Sequence, residues 1–314
     1  MSSPKDGDPE SAVSAIDLGT NTVLMVTARR RHDGDLEVVD DAHAIARLGQ
    51  GVDATGDIND DAVSRVCKIL SEYRQRAQAL GSHRIRAFGT SALRDAGNRE
   101  HVISQVLKHT GIELGILTGD EEAGLTFSGA CFGLTLPERY AVLDIGGGST
   151  ELALGNQQSV ERSVSVDIGA VRITERFFTQ LPPTREQLHQ ADRWTREVLQ
   201  DLFVLSSTDT LVGVAGTVTT LGALDVGTEN FSAPELNGHR LLRDRARDLA
   251  RLLQSMSLEQ TRALPQVSDQ RADIIAGGAF ILTSALDQLN VPEIVVSTWG
   301  IRYGLLLSML DGEV

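Results

Sequence analysis

Cysteine is almost missing from this chain. Cys67 and Cys131 are the only two in 314 residues, which excludes a disulfide scaffold and a CxxC metal site. Lysine is nearly as scarce, with only Lys5, Lys68 and Lys108, so the cationic side chains are almost all arginine. That bias fits phosphate recognition by guanidinium forks, and it fits equally a GC-rich genome or a salt-adapted surface. Positive charge is not in excess: 29 basic against 43 acidic residues leave a net charge of −14. A general nucleic-acid binder needs a basic face, so nucleic acid is not expected as a partner. No apolar run approaches the ~18 residues that a membrane span requires, so no membrane partner is expected either. The seven histidines form no HxH or HxxxH pair, which argues against a histidine metal site. The opening stretch MSSPKDGDPESA has neither the basic start nor the apolar core of a signal peptide. It reads as a short disordered tail, and the expected location is cytoplasmic.

What is present is enough for two α/β domains. At 41% apolar and 23% charged, the composition is that of a globular protein. The first half reads strand (14–20), strand (23–30), strand (36–47), then a helix over 60–80. That helix carries an apolar stripe at Val63, Val66, Ile69, Leu70, Tyr73 and Ala77, with Cys67 on it, and Gly81 closes it. A strand at 84–91, a helix at 102–110 and a strand at 112–118 follow. Thr118-Gly-Asp-Glu121 has the pattern of a capping box and opens a helix through Glu122 and Ala123. The pattern then restarts. Strands are expected at 140–150, 150–156 and 160–169, helices at about 170–178 and 184–205, and an apolar strand at 210–216. Helices at 241–256 and 272–289, a strand at 293–298 and a helix at 301–310 complete the chain.

The restart is informative. AIDLGTNT (15–22) and VLDIGGGST (142–150) both place an aspartate at the end of an apolar strand, followed by an apolar residue, glycine and a nearby hydroxyl. A duplicated strand–turn–strand unit implies two similar α/β domains with a cleft between them. Glycine-rich strand ends expose backbone N–H groups and can form anion-binding concavities. Candidates are Gly19-Thr20-Asn21-Thr22, Gly146-Gly147-Gly148-Ser149 and Gly213-Val-Ala-Gly216-Thr217. Glu151 lies seven residues after Asp144, so hairpin pairing would bring the two together. Carboxylates beside phosphate-cradling amides repel the ligand unless Mg²⁺ sits between them. Read singly, Asp17 and Asp144 serve equally as turn caps.

The set DLGTNT, TGDEEAGLTFSGA, DIGGGSTE, GVAGTVTT and RADIIAGGAFIL, in this order, resembles the exopolyphosphatase and guanosine pentaphosphate phosphatase family. The resemblance runs from about Ser14 to Leu307. It implies two ribonuclease-H-like domains of the actin, sugar-kinase and heat-shock-chaperone type around a central cleft. The expected boundaries are 12–132 and 133–314, with the final helix (about 300–312) packing back on the first domain. It further implies Mg²⁺ dependence, with Mn²⁺ as a substitute, and release of terminal phosphate from polyphosphate or from pppGpp. A homodimer is one expected assembly. Carried over by position, Glu122 is the general base, and Asp17, Asp144 and Glu151 hold the metal. Gly19, Thr20, Asn21, Gly146, Gly147, Gly148, Ser149, Gly216 and Thr217 take phosphate. Arg94 faces substrate phosphate in this reading, against the plain alternative of a solvated helix-end arginine. Arg271 either contacts a more distal phosphate or pairs with Asp269 or Asp273. Acidic side chains from the two lobes are thus expected to converge through magnesium on the end of a phosphorylated ligand.

Two departures bear on substrate. Leu24 stands where the family often has arginine or histidine, which removes a cation near the phosphate path. The C-terminal helical domains of long members are also missing from this sequence, which points to a short-form enzyme that is less processive. Two other classes remain open: an ATP-dependent kinase of the same superfamily, and a non-catalytic sensor of polyphosphate or an alarmone.

Overall fold

The computed structural model describes residues 12–32, 35–206, 209–229 and 232–312. Most of the N-terminal stretch read as a tail, including Lys5, lies outside them. The chain divides into two units: residues up to Thr118 together with those from Ile301 onward, and Gly119–Gly300.

In the first unit, strands β1 (Val13–Leu18), β2 (Thr22–Arg30) and β3 (Leu36–Ile45) are followed by the short helix α1 (Val52–Thr55). Then come α2 (Asp60–Ala79), β4 (Arg84–Gly89), α3 (Ser91–Asp95), α4 (Arg99–Thr110) and β5 (Leu114–Ile116). The sheet order is β3-β2-β1-β4-β5. β1, β2 and β3 pair antiparallel, whereas β4 and β5 join in parallel. All six residues of β1 are buried, as expected for a strand covered on both faces. The α2 stripe predicted from periodicity buries Val63, Val66, Leu70, Tyr73 and Ala77, and the helix starts on an Asn59 side-chain cap. Cys67 is buried on this stripe, and burial raises its thiol pKa, so it belongs to the core.

The second unit opens with α5 (Gly119–Ala130), followed by β6 (Arg139–Ile145), β7 (Thr150–Asn156) and β8 (Val160–Val166). Helices α6 (Ala170–Phe177) and α7 (Arg185–Leu199) lead to β9 (Thr210–Val214), α8 (Ala215–Val226) and α9 (Ala233–Leu236). The unit continues with β10 (Arg240–Leu242), α10 (Arg243–Ser255), α11 (Leu258–Arg262), α12 (Ile275–Gln288) and β11 (Glu293–Val296). Its sheet runs β10-β11-β9-β6-β7-β8. With β10 set aside as an added antiparallel edge, this repeats the order and directions of the first sheet. Both units thus share one ribonuclease-H-like sheet arrangement, and the internal duplication holds at the level of topology.

The division falls at 118/119, earlier than the 132/133 expected from the sequence. The physical reason is that α5 packs on β6, β7 and β8, so it belongs to the second unit. The C-terminal helix (Ile301–Asp311) packs on β1 and β2. Asp41 of β3 holds it there: Arg302 Nε and Nη2 donate to the carboxylate at 3.1 and 3.0 Å, and Tyr303 donates its hydroxyl at 2.6 Å.

Other differences have equally local causes. α8 was not expected, because Thr217–Ala223 are all buried, and a helix buried all round shows no amphipathic period. α7 stops at Leu199 and not near 205. Leu202, Phe203 and Leu205 continue the apolar pattern but enter the core outside any helix. Residues 241–242, expected as the start of a helix, instead belong to the edge strand β10. Among the described residues, no helix is long and apolar enough to cross a membrane.

Removing the Tyr303 hydroxyl deletes one short hydrogen bond to a carboxylate while Arg302 keeps that carboxylate paired. Tyr303→Phe should lower unfolding stability by about 1–3 kcal/mol in urea titrations. An unchanged midpoint would show that this contact does not secure the C-terminal helix.

Candidate active site

The site is assembled from a row of strand residues and one helix start. Asp144, near the end of β6, lies directly opposite Glu151 of β7. Glu151 in turn lies opposite Ser165 of β8. Directly opposed residues share a sheet face with Cβ atoms about 4.5–5.5 Å apart, so the hairpin pairing read from the seven-residue spacing is present. Ser165 Oγ donates to Glu151 Oε1 at 2.7 Å. Helix α5 begins directly after Thr118 and carries Glu122 in its first turn. Its start is pressed onto β8: a Cβ at Gly119 would stand 2.8 Å from Ser165 Cβ, and Ser163 Oγ donates to Asp120 Oδ1 at 2.9 Å.

Glu122, Asp144 and Glu151 are only 7%, 9% and 2% exposed. Burial, and then the charge of Glu122, push the Asp144 carboxyl up to about 7. Burial, followed by the charges of Glu122 and Asp144, raises Glu151 well above the usual carboxylate range. Hydrogen bonding from Ser149 and Ser165 works the other way. Thr126, one turn after Glu122, favours the charged form of Asp144, although its buried hydroxyl has no hydrogen-bond partner of ordinary geometry.

The Gly146–Gly148 loop runs between Asp144 and Glu151. It closes on itself through Gly146 N–H to Ser149 O at 3.0 Å. Its carbonyls are taken up by the start of α6: Ala170 N–H donates to Gly146 O at 2.9 Å, and Val171 N–H to Gly147 O at 2.8 Å. Among the described residues, neither the Gly147 nor the Gly148 amide donates to a backbone acceptor. Gly169 permits this approach, since a Cβ there would lie 2.4 Å from Gly147 C and O.

The first unit repeats the loop. Gly19 N–H donates to Thr22 O at 2.9 Å, and the Thr20 and Asn21 carbonyls accept from Gly49, Ala46 and Arg47 amides. Asp17, Thr20 and Asn21 are buried. Opposite Asp17 in the register stands Leu24, where the second unit has Glu151. Arg94 is half-buried in the last turn of α3 and donates to Leu117 O at 3.0 Å, so it is not a fully solvated helix end.

The third glycine segment differs from expectation. Gly213 lies within β9, and Gly216 and Thr217 lie in the first turn of α8, so no loop separates strand from helix. The reversal is made at Ala215, with φ 64°. The Arg271 guanidinium packs on Gly216, where a Cβ would stand 2.4 Å from its Cζ.

The carboxylate cluster therefore arises within the second unit. This corrects the expectation that its members come from two lobes: Glu122 moves to the second unit with α5, and only Asp17 belongs to the first.

The model of the Ppx/GppA phosphatase family matches residues 26–313. The chain belongs to that family. Exopolyphosphatase 2 of Mycobacterium tuberculosis is 35% identical, over 95% of this chain and 98% of its own. Exopolyphosphatase 1 of Mycobacterium bovis is 29% identical, over 96% and 89%. Among solved structures, an exopolyphosphatase-like protein superposes with TM-score 0.90 at 30% identity, covering 96% of this chain and 98% of its own. A Ppx/GppA family member from Aquifex aeolicus gives 0.82 at 29%, over the same shares.

In this Ppx/GppA chain, sequence reasoning missed Thr126, Ser165, Gly169 and Arg172. The alternation of VERSVSV placed Ser163 and Ser165 on one face, which is the signal that could have found Ser165. Gly169 and Arg172 act through tertiary contacts that no local pattern announces.

Among the described residues, no three His, Cys, Asp or Glu side chains form a protein-only metal cage. A hard divalent cation does not need one, since Mg²⁺ takes one or two carboxylates plus water and substrate phosphate. Burial lifts Asp144 and Glu151 first and the neighbouring carboxylate charges lift them further, and such a cation would relieve that cost. The pH consequence follows from the direction of the Asp144 shift. Between about pH 4 and 7 the folded protein holds a proton that the unfolded chain has released, so this group costs stability as pH rises through that window. Asp144→Asn should therefore melt several degrees above the unsubstituted protein at pH 8 with chelator present, and the gap should shrink toward pH 4. A pH-independent gap in thermal melts would rule out this cause.

Proposed function

We propose that this protein is an exopolyphosphatase that releases terminal orthophosphate from inorganic polyphosphate by water attack, with Glu122 as general base. The observation that supports this most directly is the buried grouping of Glu122 with Asp144 and Glu151 beside a glycine loop whose carbonyls are turned away into α6. Water attacks the terminal phosphorus in line and Glu122 takes its proton. A P–O bond forms to the water oxygen while the bond to the bridging oxygen breaks, leaving orthophosphate and a chain shortened by one. Loop amides stabilise the equatorial oxygens, where charge sits in the transition state. Ser165 holds the Glu151 carboxylate by a direct hydrogen bond. Asp144 and Glu151 would hold Mg²⁺, or Mn²⁺ in its place, which would neutralise phosphate charge and orient water. Arg94, Arg271, Asp17 and the Gly19–Asn21 loop keep the phosphate- and metal-binding roles implied by the family pattern. The proposed setting is the cytoplasm.

Phosphate release should be measured on short polyphosphate, long polyphosphate, pppGpp and ATP with Mg²⁺ present. Polyphosphate should be hydrolysed, and chelation should abolish release. Glu122→Gln should lose about 10²–10⁴-fold in rate while still binding polyphosphate. Release from pppGpp alone would instead make the protein a guanosine pentaphosphate phosphohydrolase. Transfer from ATP to an acceptor without hydrolysis would make it a kinase. Undiminished release by Glu122→Gln would remove the assigned base.

A further inference from the structure

All three carbonyls of the glycine loop are captured on one side. Gly146 O accepts from Ala170 N–H at 2.9 Å, and Gly147 O accepts from Val171 and Arg172 N–H at 2.8 and 3.2 Å. Among the described residues no backbone amide outside regular strands and helices donates to Gly148 O, which accepts from Arg172 Nε at 2.9 Å. In a planar trans peptide the C=O and the following N–H point in opposite directions. Fixing the carbonyls of residues 146, 147 and 148 against α6 therefore turns the amides of Gly147, Gly148 and Ser149 away from it, as three successive donors. Such a run of N–H groups is an anion-binding concavity. Backbone atoms hold the first two peptides. A single side chain holds the third.

The third peptide is also the most consequential. Its N–H belongs to Ser149, which is 2% exposed and whose hydroxyl acts on the Glu151 carboxylate. Glycine at 148 leaves the Gly148–Ser149 peptide free to rotate, so this orientation depends on what holds Gly148 O. Residue 169 offers no second restraint, because it abuts the preceding peptide at Gly147 C and Gly148 N.

We infer that Arg172 is a positioning residue: by holding Gly148 O it aims the Ser149 amide at the phosphoryl group. The inference rests on the reading that this loop takes phosphate. A group whose role is orientation should matter more as charge develops on the equatorial oxygens than when substrate merely docks.

The test compares Arg172→Met, which keeps the length of the side chain without a donor, with Arg172→Lys, which keeps a cationic donor. Arg172→Met should lose about 10–100-fold in kcat on tripolyphosphate with KM changed less than about threefold, at a melting temperature close to that of the unsubstituted protein. Arg172→Lys should recover a large part of the loss. Independently of activity, the Ser149 amide resonance should shift between the unsubstituted protein and Arg172→Met, and its response to added inorganic phosphate should be lost. A folded Arg172→Met with undiminished kcat, or an unmoved Ser149 resonance, would overturn the inference. If the unsubstituted protein hydrolyses none of the phosphate substrates, the functional reading fails, and the Ser149 resonance still decides whether Arg172 sets the loop.

Discussion

Three carboxylates are buried near one another at the end of a sheet, and the cost of burying them, increased by their mutual repulsion, is the constraint that the rest of the site answers. Burying an isolated carboxylate is costly, and burying three near one another adds their repulsion to that cost. Glu122 and Asp144 both lift Glu151, and Glu122 lifts Asp144. A fold evolved only for stability would place apolar side chains there. The surroundings instead partly offset the repulsion through the hydroxyls of Ser149 and Ser165. An arrangement held at such cost is suited to a cationic group, which would relieve the repulsion between the carboxylates. Perturbed carboxylates clustered in this way are a recognised mark of functional sites.

The duplication shows one backbone plan carrying different side chains in its two copies. Each unit has an aspartate at the end of its central strand, a glycine whose N–H closes the turn three residues on, and carbonyls captured by the segment after the third strand. The copies part at the residue opposite the aspartate: Glu151 in the second and Leu24 in the first. Leu24 is half-buried, and this register position therefore sets an aliphatic side chain, not a carboxylate, opposite Asp17. The loop geometry is common to both, whereas the paired carboxylates belong to one. Backbone shape alone thus sets the loop, and side-chain identity at one register position decides whether a carboxylate pair accompanies it.

Much of this was legible before any coordinates. The β1–β2 and β6–β7 hairpins follow from apolar strands meeting at glycine turns, and α2 follows from its stripe. The pairing of Asp144 with Glu151 follows from spacing alone. Less legible was everything that depends on burial from all sides or on contact between distant segments. Helix α8 is rich in threonine and valine and wholly buried in its middle, so periodicity gave no sign of it. The membership of α5 was misjudged because a helix between two sheets carries no local mark of which one it packs on. That error had a consequence, since it assigned Glu122 and Asp144 to different units. Gly169 and Arg172 resemble ordinary helix-start residues until the loop they restrain is seen.

Under the proposed function, the acidic balance of the chain bears on how such a site would meet a polyanion. A net charge of −14 repels polyphosphate at long range, yet exposed charges are screened beyond about 8 Å at physiological salt. Attraction therefore has to be local, and a cation on Asp144 and Glu151 would reverse the sign of the potential where it matters. Oriented amides add a neutral contribution that salt screens weakly, because dipoles fixed in a water-poor loop act at contact distance. The arginine-rich, lysine-poor cation set is consistent with this division of labour. Arg172 is spent on loop geometry, Arg94 on the chain leading into α5, and Arg302 on anchoring the last helix. In each case the planar guanidinium fork holds backbone or carboxylate in a fixed direction. A lysine ammonium gives charge without direction, so the preference for arginine here reflects orientation more than net charge.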